Sequence, residues 1–420
     1  ALTGGSPAMK DKLGIWDGGR VLASHTEFGG RVTQVDDPFG SDTHATHVSG
    51  IMMGAGQNPL AQGMAFGASL RAWDFGNDEA EMAAAAADLL VSNHSYSTVA
   101  GWQFNADRQG DVKWEWYGDT TVSATEDIKF GLYNAKAREW DRIAYNAPYY
   151  LIVNSAGNNQ NRNGPGDGLP HYLISRRAIS RETRKTQAGY DQIPTYATAK
   201  NILTVGATAP LTEGYVRPSD VALANFSSWG PTDDGRIKPD LVGVGVGVLS
   251  ASATGNASYV ALGGTSMSAP NVSGSLFLLQ EYHAQLNGGR FMRSATLKGL
   301  AIHTASETGD APGPDYRFGW GILNTERAAR VLANSDRSHL VDERSLKQGD
   351  TYTLPLVASG RGPLVVTLCW TDPEGAVTPS NAEGLNNPTP KLVNDLDIRI
   401  SDGSGAVLPW VLDPAAPAQP

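Results

Sequence analysis

The stretch Gly263-Gly264-Thr265-Ser266-Met267-Ser268-Ala269-Pro270 decides how this chain is read. Small residues lead into Ser266, and Pro270 follows four positions later, opening the apolar run Ala269–His283 that reads as a long helix. A serine at such a place has two readings. It caps a helix, or it is a nucleophile on a glycine-rich turn whose backbone N–H groups face a developing oxyanion. The Gly-x-Ser-x-Gly elbow fails, because position 268 is Ser, so an α/β-hydrolase fold is disfavoured.

Two upstream segments bear on the choice. Thr43-His44-Ala45-Thr46-His47-Val48-Ser49-Gly50 places a histidine at the mouth of a strand–helix turn, where a side chain titrating near neutrality suits a general base. His44 and His47 could share a helix face, but no H-E-x-x-H pattern and no cysteine supports a metal there. Asp17 ends the apolar run Leu13–Trp16 and enters Gly18-Gly19. It is either a turn aspartate or a buried carboxylate orienting an imidazole. The order Asp…His…Ser, each at a strand end or helix start, is more specific than any one of the three.

Outward from these motifs, residues 10–330 alternate short apolar runs with helical patterns. Strands are expected at Ala68–Trp73, Leu90–Ser95, Tyr149–Ser155, Asn201–Ala207 and Lys238–Val244. Helices are expected from Thr46, over Glu79–Leu90, and over Ser123–Tyr145 before Pro148. That alternation argues for an α/β fold with a mostly parallel sheet covered on both faces. After about residue 335 the texture changes. Thr351–Leu356, Leu364–Trp370 and Asp395–Ile400 have strand length or alternation, separated by Asp, Asn, Gly and Pro, so a small antiparallel β domain is expected.

Composition limits the function classes. The 420 residues are 40% hydrophobic and 18% charged, which describes a globular chain with a sizeable core. Lys+Arg total 33 against Asp+Glu 43, a net charge of -10, which argues against nucleic acid and against a basic membrane-surface helix. No apolar run approaches the ~18 residues of a spanning helix. Cys369 is the single cysteine, so an intrachain disulfide and a cysteine-rich metal site are both excluded. Residues 1–10 carry no signal-peptide core.

These motifs resemble those of the subtilisin-like serine proteases, the subtilases. Gly264–Pro270 matches the family's Gly-Thr-Ser-Met-Ser-Ala-Pro completely. The family's Gly-His-Gly-Thr-His-Val-Ala-Gly appears as Thr43–Gly50, its Asp-Thr-Gly as Asp17-Gly18-Gly19, and its Ala-Ala-Gly-Asn as Ser155-Ala156-Gly157-Asn158. Phe226-Ser227-Ser228-Trp229-Gly230 and Lys238-Pro239-Asp240 resemble framework segments before the serine motif. The resemblance implies a three-layer catalytic domain over residues 1–338. It implies a triad of Asp17, His44 and Ser266, with Asn158 as oxyanion donor. It also implies that Ser95-Tyr96-Ser97 and Ser155-Ala156-Gly157 are the edges that hold an extended polypeptide substrate.

The C-terminal segments, including Leu392–Ile398, are similar to the β domain of the oxidant-tolerant alkaline subtilases. A β-barrel or jelly roll is therefore expected over residues 339–420, which fall short of that domain's usual length. The family often binds structural Ca²⁺, for which Asp372, Asp395 and Asp397 are the candidate oxygen ligands. It also implies a secreted monomer, held inactive by an N-terminal propeptide before maturation. Two other functions fit the same triad: a catalytically silent binding scaffold, and a hydrolase of small esters. Gly101–Asp119, with Trp102, Trp114, Trp116 and Tyr117, is expected to be an insertion with its own apolar cluster or an extended substrate wall.

Overall fold

The computed structural model describes residues 2–186, 189–360 and 362–419. The strands in chain order are β1 (Leu13–Asp17), β2 (Val32–Gln34), β3 (Leu70–Asp74), β4 (Val91–His94), β5 (Trp102–Phe104), β6 (Trp114–Trp116), β7 (Leu151–Ser155), β8 (His171–Leu173), β9 (Ala178–Ser180), β10 (Leu203–Thr208), β11 (Leu241–Val244), β12 (Val248–Ala251), β13 (Tyr259–Leu262), β14 (Ile400–Ser401) and β15 (Ala406–Val407). The α-helices are α1 (Thr43–Met53), α2 (Asp78–Ala85), α3 (Ala135–Asn146), α4 (Thr265–Leu286), α5 (Ser294–Thr304) and α6 (Thr325–Ala333).

Seven strands form one parallel sheet in the order β2-β3-β1-β4-β7-β10-β11. Both faces are covered, so β1 and β7 are buried along their whole length. Side chains alternate along β1. Leu13 and Ile15 enter the larger core, with residues of α1 and α4, while Trp16 enters the other, with residues of α2 and α3. Asp17 follows on the Leu13–Ile15 side, which is the side of α1. The winding runs from β1 toward β2 and β3 and then reverses to β4. The carboxyl ends of β1, β4 and β7 therefore flank the switch point, where open α/β sheets place their clefts.

Two expectations need correction. The helix expected over Ser123–Tyr145 begins only at Ala135. Gly131 has a φ of 72°, and the Asn134 side chain accepts from the N–H groups of Lys136 and Ala137, which starts the helix there. The C-terminal barrel is also absent among the described residues. Thr351–Leu356 and Leu364–Trp370 form no strands, and the regular structure is one two-residue ladder, β14 with β15. A period of two states a preference, but a strand also needs a neighbour. The described residues supply one only to Ile400–Ser401, and Leu356, Val365 and Val366 stay exposed. The segment is anchored instead at Asp372, which is buried against Lys200 Nζ at 3.0 Å and exchanges hydrogen bonds with the Asn201 side chain.

The aromatic insertion supplies β5 and β6, which join β8 and β9 from the segment after β7 in a separate sheet, β5-β6-β8-β9, with Trp102, Trp116 and Leu173 as a small core. It packs on the loop after Asn158, where Arg162 donates to Gln103 at 3.0 Å.

Candidate active site

Asp17 is carried to the cleft by the last residue of β1. Its Oδ1 accepts from Gly18 N at 2.8 Å and from His44 Nδ1 at 2.7 Å. His44 lies in the first turn of α1, which starts where Asp42 Oδ1 accepts from His44 N at 2.6 Å and Ala45 N at 3.1 Å. The bond to Asp17 fixes the proton on Nδ1 and leaves Nε2 to accept. Burial opposes charge on the imidazole. The Asp17 carboxylate, with Asp42 behind it, overcomes that and holds His44 above its ordinary value. His47, one turn on, is fully buried, bonds the Val248 and Val260 carbonyls, and is pushed by burial down to about 4. It is a packed helix residue.

Ser266 stands in the first turn of α4, so the expected helix begins earlier than Ala269, with Pro270 inside it. Proline has no N–H, so the Ser266 carbonyl loses its partner four residues on. Ser95 replaces it: its Oγ donates to Ser266 O at 2.9 Å and accepts from Asn93 Nδ2 at 2.9 Å. The Ser266 hydroxyl donates to Ser95 O at 3.2 Å, so it is turned to the end of β4 rather than to His44.

Asn158 follows the end of β7. Its Oδ1 accepts from Thr265 N at 2.9 Å and Thr265 Oγ1 at 3.0 Å. With the oxygen held there, Nδ2 is the free end of the amide; a Cβ at Gly264 would lie 3.5 Å from it. The same Thr265 hydroxyl accepts from Gly157 N at 3.2 Å. Gly157 has a φ of 101°, and a Cβ there would come within 2.9 Å of Ser228 Oγ, so glycine is required.

Ser95, Tyr96 and Ser97 follow β4 outside any strand, with Tyr96 O accepting from Asn154 Nδ2 at 3.2 Å. Tyr96 turns inward, its hydroxyl donating to Asp78 Oδ2 at 2.8 Å. Ser155, Ala156 and Gly157 form the facing wall at the end of β7, with Ser155 and Ala156 buried. The structure thus brings the two segments expected to hold substrate, Asn158 and Ser266 to one edge of the sheet beside the Asp17–His44 pair.

It does not gather the metal candidates. The Asp372 carboxylate is committed to Lys200 and to the N–H groups of Val393 and Asn394, while Asp395 and Asp397 are exposed. Among the described residues no group of three or more His, Cys, Asp or Glu is placed to hold a metal ion. These residues therefore do not fit a Ca²⁺ site. No helix among the described residues is long and apolar enough to cross a membrane.

The sequence reading missed two contributors. Asp42 was legible as an acidic residue just ahead of a helix start. Thr265 gave no local signal, because its partners are more than a hundred residues away.

Comparison with known proteins bears on the fold and the family. A C5a peptidase of Streptococcus pyogenes is 51% identical over 65 residues, 16% of this chain and 6% of that protein. The serine protease/ABC transporter B family protein tagD of Dictyostelium discoideum is 24% identical over 472 aligned positions, covering 86% of this chain and 25% of that protein. The chain thus spans a small part of the length of these relatives. The CspB protease of Clostridium perfringens shares the fold with a TM-score of 0.57 at 18% identity, over 80% of this chain and 95% of that one. The subtilase family model matches residues 23–321, a span that holds His44, Asn158 and Ser266 and begins after Asp17. The chain belongs to the subtilase family.

Proposed function

We propose that this chain is a serine endopeptidase acting on extended polypeptide. The observation that carries the reading is the 2.7 Å hydrogen bond between buried Asp17 and half-exposed His44, beside the helix start that bears Ser266. Ser266 Oγ leaves Ser95 O, gives its proton to His44 Nε2 and attacks the scissile carbonyl. Asp17 holds the ring and stabilises the imidazolium. Asn158 Nδ2 and the Ser266 N–H, one of the unpaired donors of the first turn of α4, receive the oxyanion. The imidazolium then protonates the leaving amine, and water repeats the sequence on the acyl-enzyme. The chain at Ser95–Ser97, which lies outside any strand, supplies backbone groups to an extended substrate. Export and maturation from a propeptide belong to the same proposal through the family, and action as a monomer because one chain forms the whole cleft.

Cleavage of a peptide library, read by mass spectrometry, tests this. Cleavage should vanish in Ser266→Ala and after a serine-directed covalent inhibitor. A folded chain that cleaves esters but no peptide would instead mark a small-ester hydrolase, and one that cleaves neither a binding scaffold.

A further inference from the structure

We propose that the side chains of Ser92, His94 and Tyr96 form a proton-ordered chain that holds Ser266 in place through Ser95, with His94 as the positioning residue. The role rests on the endopeptidase reading above.

A central parallel strand covered on both faces normally reads as an apolar run. β4 does not. After Val91 it carries Ser92, Asn93 and His94, all fully buried, and buried Ser95 follows. Such side chains cost desolvation in the middle of a sheet unless each is paired. All of them are paired, and the pairing sorts by side, as alternation along a strand requires. Asn93 and Ser95 face α4. Asn93 Oδ1 accepts from Ser273 Oγ at 3.0 Å, and Asn93 Nδ2 donates to the Ser95 Oγ that holds Ser266 O. Ser92, His94 and Tyr96 face the other way, toward Asp78 of α2 and Trp140 of α3.

On that second side the donors run one way. A carboxylate only accepts, so the Tyr96 hydroxyl donates to Asp78 Oδ2 at 2.8 Å. The Tyr96 oxygen therefore accepts from His94 Nδ1 at 2.9 Å. Burial pushes His94 down to about 3, so the ring is neutral and its Nε2 accepts from Ser92 Oγ at 2.8 Å. Ser92 Oγ in turn accepts from the Tyr150 hydroxyl at 2.6 Å. Only one arrangement of protons satisfies every link. The ring is fixed as well: His94 stacks on Trp16 with centroids 5.2 Å and planes 7° apart, and Trp140 packs on it at 4.8 Å. Trp16 directly precedes Asp17, and the Asp78 Oδ1 accepts from Glu79 N at 2.8 Å at the start of α2. His94 thus ties the Asp17 strand and the start of α2 to the residue that follows Ser95. A fully satisfied buried network is rigid. This one pins the chain on both sides of Ser95, whose hydroxyl supplies the bond that Pro270 denies Ser266.

The test is Tyr96→Phe, which removes the hydroxyl and keeps the ring and the backbone. Asn154 Nδ2 still holds the His94 and Tyr96 carbonyls, at 2.8 and 3.2 Å. On one peptide substrate kcat should therefore fall about tenfold, part of the roughly 100-fold that a misplacement of about 1 Å costs. KM should change little. Inactivation by phenylmethanesulfonyl fluoride, which reacts at Ser266 without any peptide, should slow by the same factor. Both losses should vanish when Ser95→Ala is already present, because the chain acts through Ser95. A denaturation curve checks that the variant is folded. If it is not, Ser92→Ala takes its place: it deletes the donor to His94 Nε2, and the same signs are expected. Unchanged kcat and inactivation in a folded variant overturn the inference. So does a loss confined to KM, or one undiminished in the Ser95→Ala background. A folded wild type that the sulfonyl fluoride inactivates but that cleaves no peptide overturns the endopeptidase reading alone, and the inactivation rates still decide the role of His94.

Discussion

Replacing Thr265 by valine isolates what positions the oxyanion donor. Thr265 is fully buried, and its hydroxyl joins Asn158 Oδ1 at 3.0 Å to Gly157 N at 3.2 Å. Valine preserves shape and removes both bonds. Gly157 N is only partly buried, so leaving it unpaired costs about 1 kcal/mol of stability, the low end for an orphaned donor. The catalytic effect is bounded from above by losing the Asn158 donor outright, typically about 2.7–4 kcal/mol, or 10²–10³ in kcat. Thr265 N still holds Oδ1 at 2.9 Å, so the amide keeps one of its two tethers. We expect kcat to fall about tenfold, near 1.4 kcal/mol, with KM little changed. The assay is a double-mutant cycle with Asn158→Leu on one peptide substrate, beside a denaturation curve for each variant. Because Thr265 acts through Asn158, its effect on kcat should disappear in the Asn158→Leu background. An undiminished tenfold loss in that background would refute the reasoning. So would an unchanged kcat in Thr265→Val while Asn158→Leu loses two orders.

Three further outcomes follow from the same contacts. His44 must be neutral to take the serine proton, and its raised value sets the acid limb of the pH–rate profile. Asp42→Asn keeps the cap on α1 but removes a charge that raises that value, so the limb should move to lower pH; a move upward contradicts the assignment. Asp240 pairs with Lys238 at 2.6 Å and Lys298 at 2.9 Å in the interior. Asp240→Asn should therefore cost about 3–5 kcal/mol in urea denaturation without moving that limb. Lys200→Met strands the buried carboxylates of Asp372 and Asp141, so limited proteolysis should cut residues 371–394 faster than in wild type.

The C-terminal third shows the limit of pattern reading. Leu364–Trp370 has the length and residues of a strand, yet it pairs with nothing among the described residues. The pattern along one segment carries no information about its neighbour. Ser123–Asn134 failed differently: its helical spacing was overruled by the left-handed turn at Gly131 and the cap at Asn134. Conversely, β1, β4, β7 and α4 were legible, because fully covered strands and a long apolar helix write their burial into consecutive residues.

The sequence by itself picked out the candidate reacting groups and their settings: Asp17 at a strand end, His44 at a helix start, Ser266 at the start of a long helix and Asn158 after a strand. Each is local, set by a run of apolar residues and the turn that ends it. Only the tertiary structure decided what surrounds them. Ser95 completes the hydrogen bond that Pro270 denies Ser266, and Thr265 orients Asn158. These partners are brought together by the order of strands in the sheet. That order depends on packing between distant segments, and no local pattern records it.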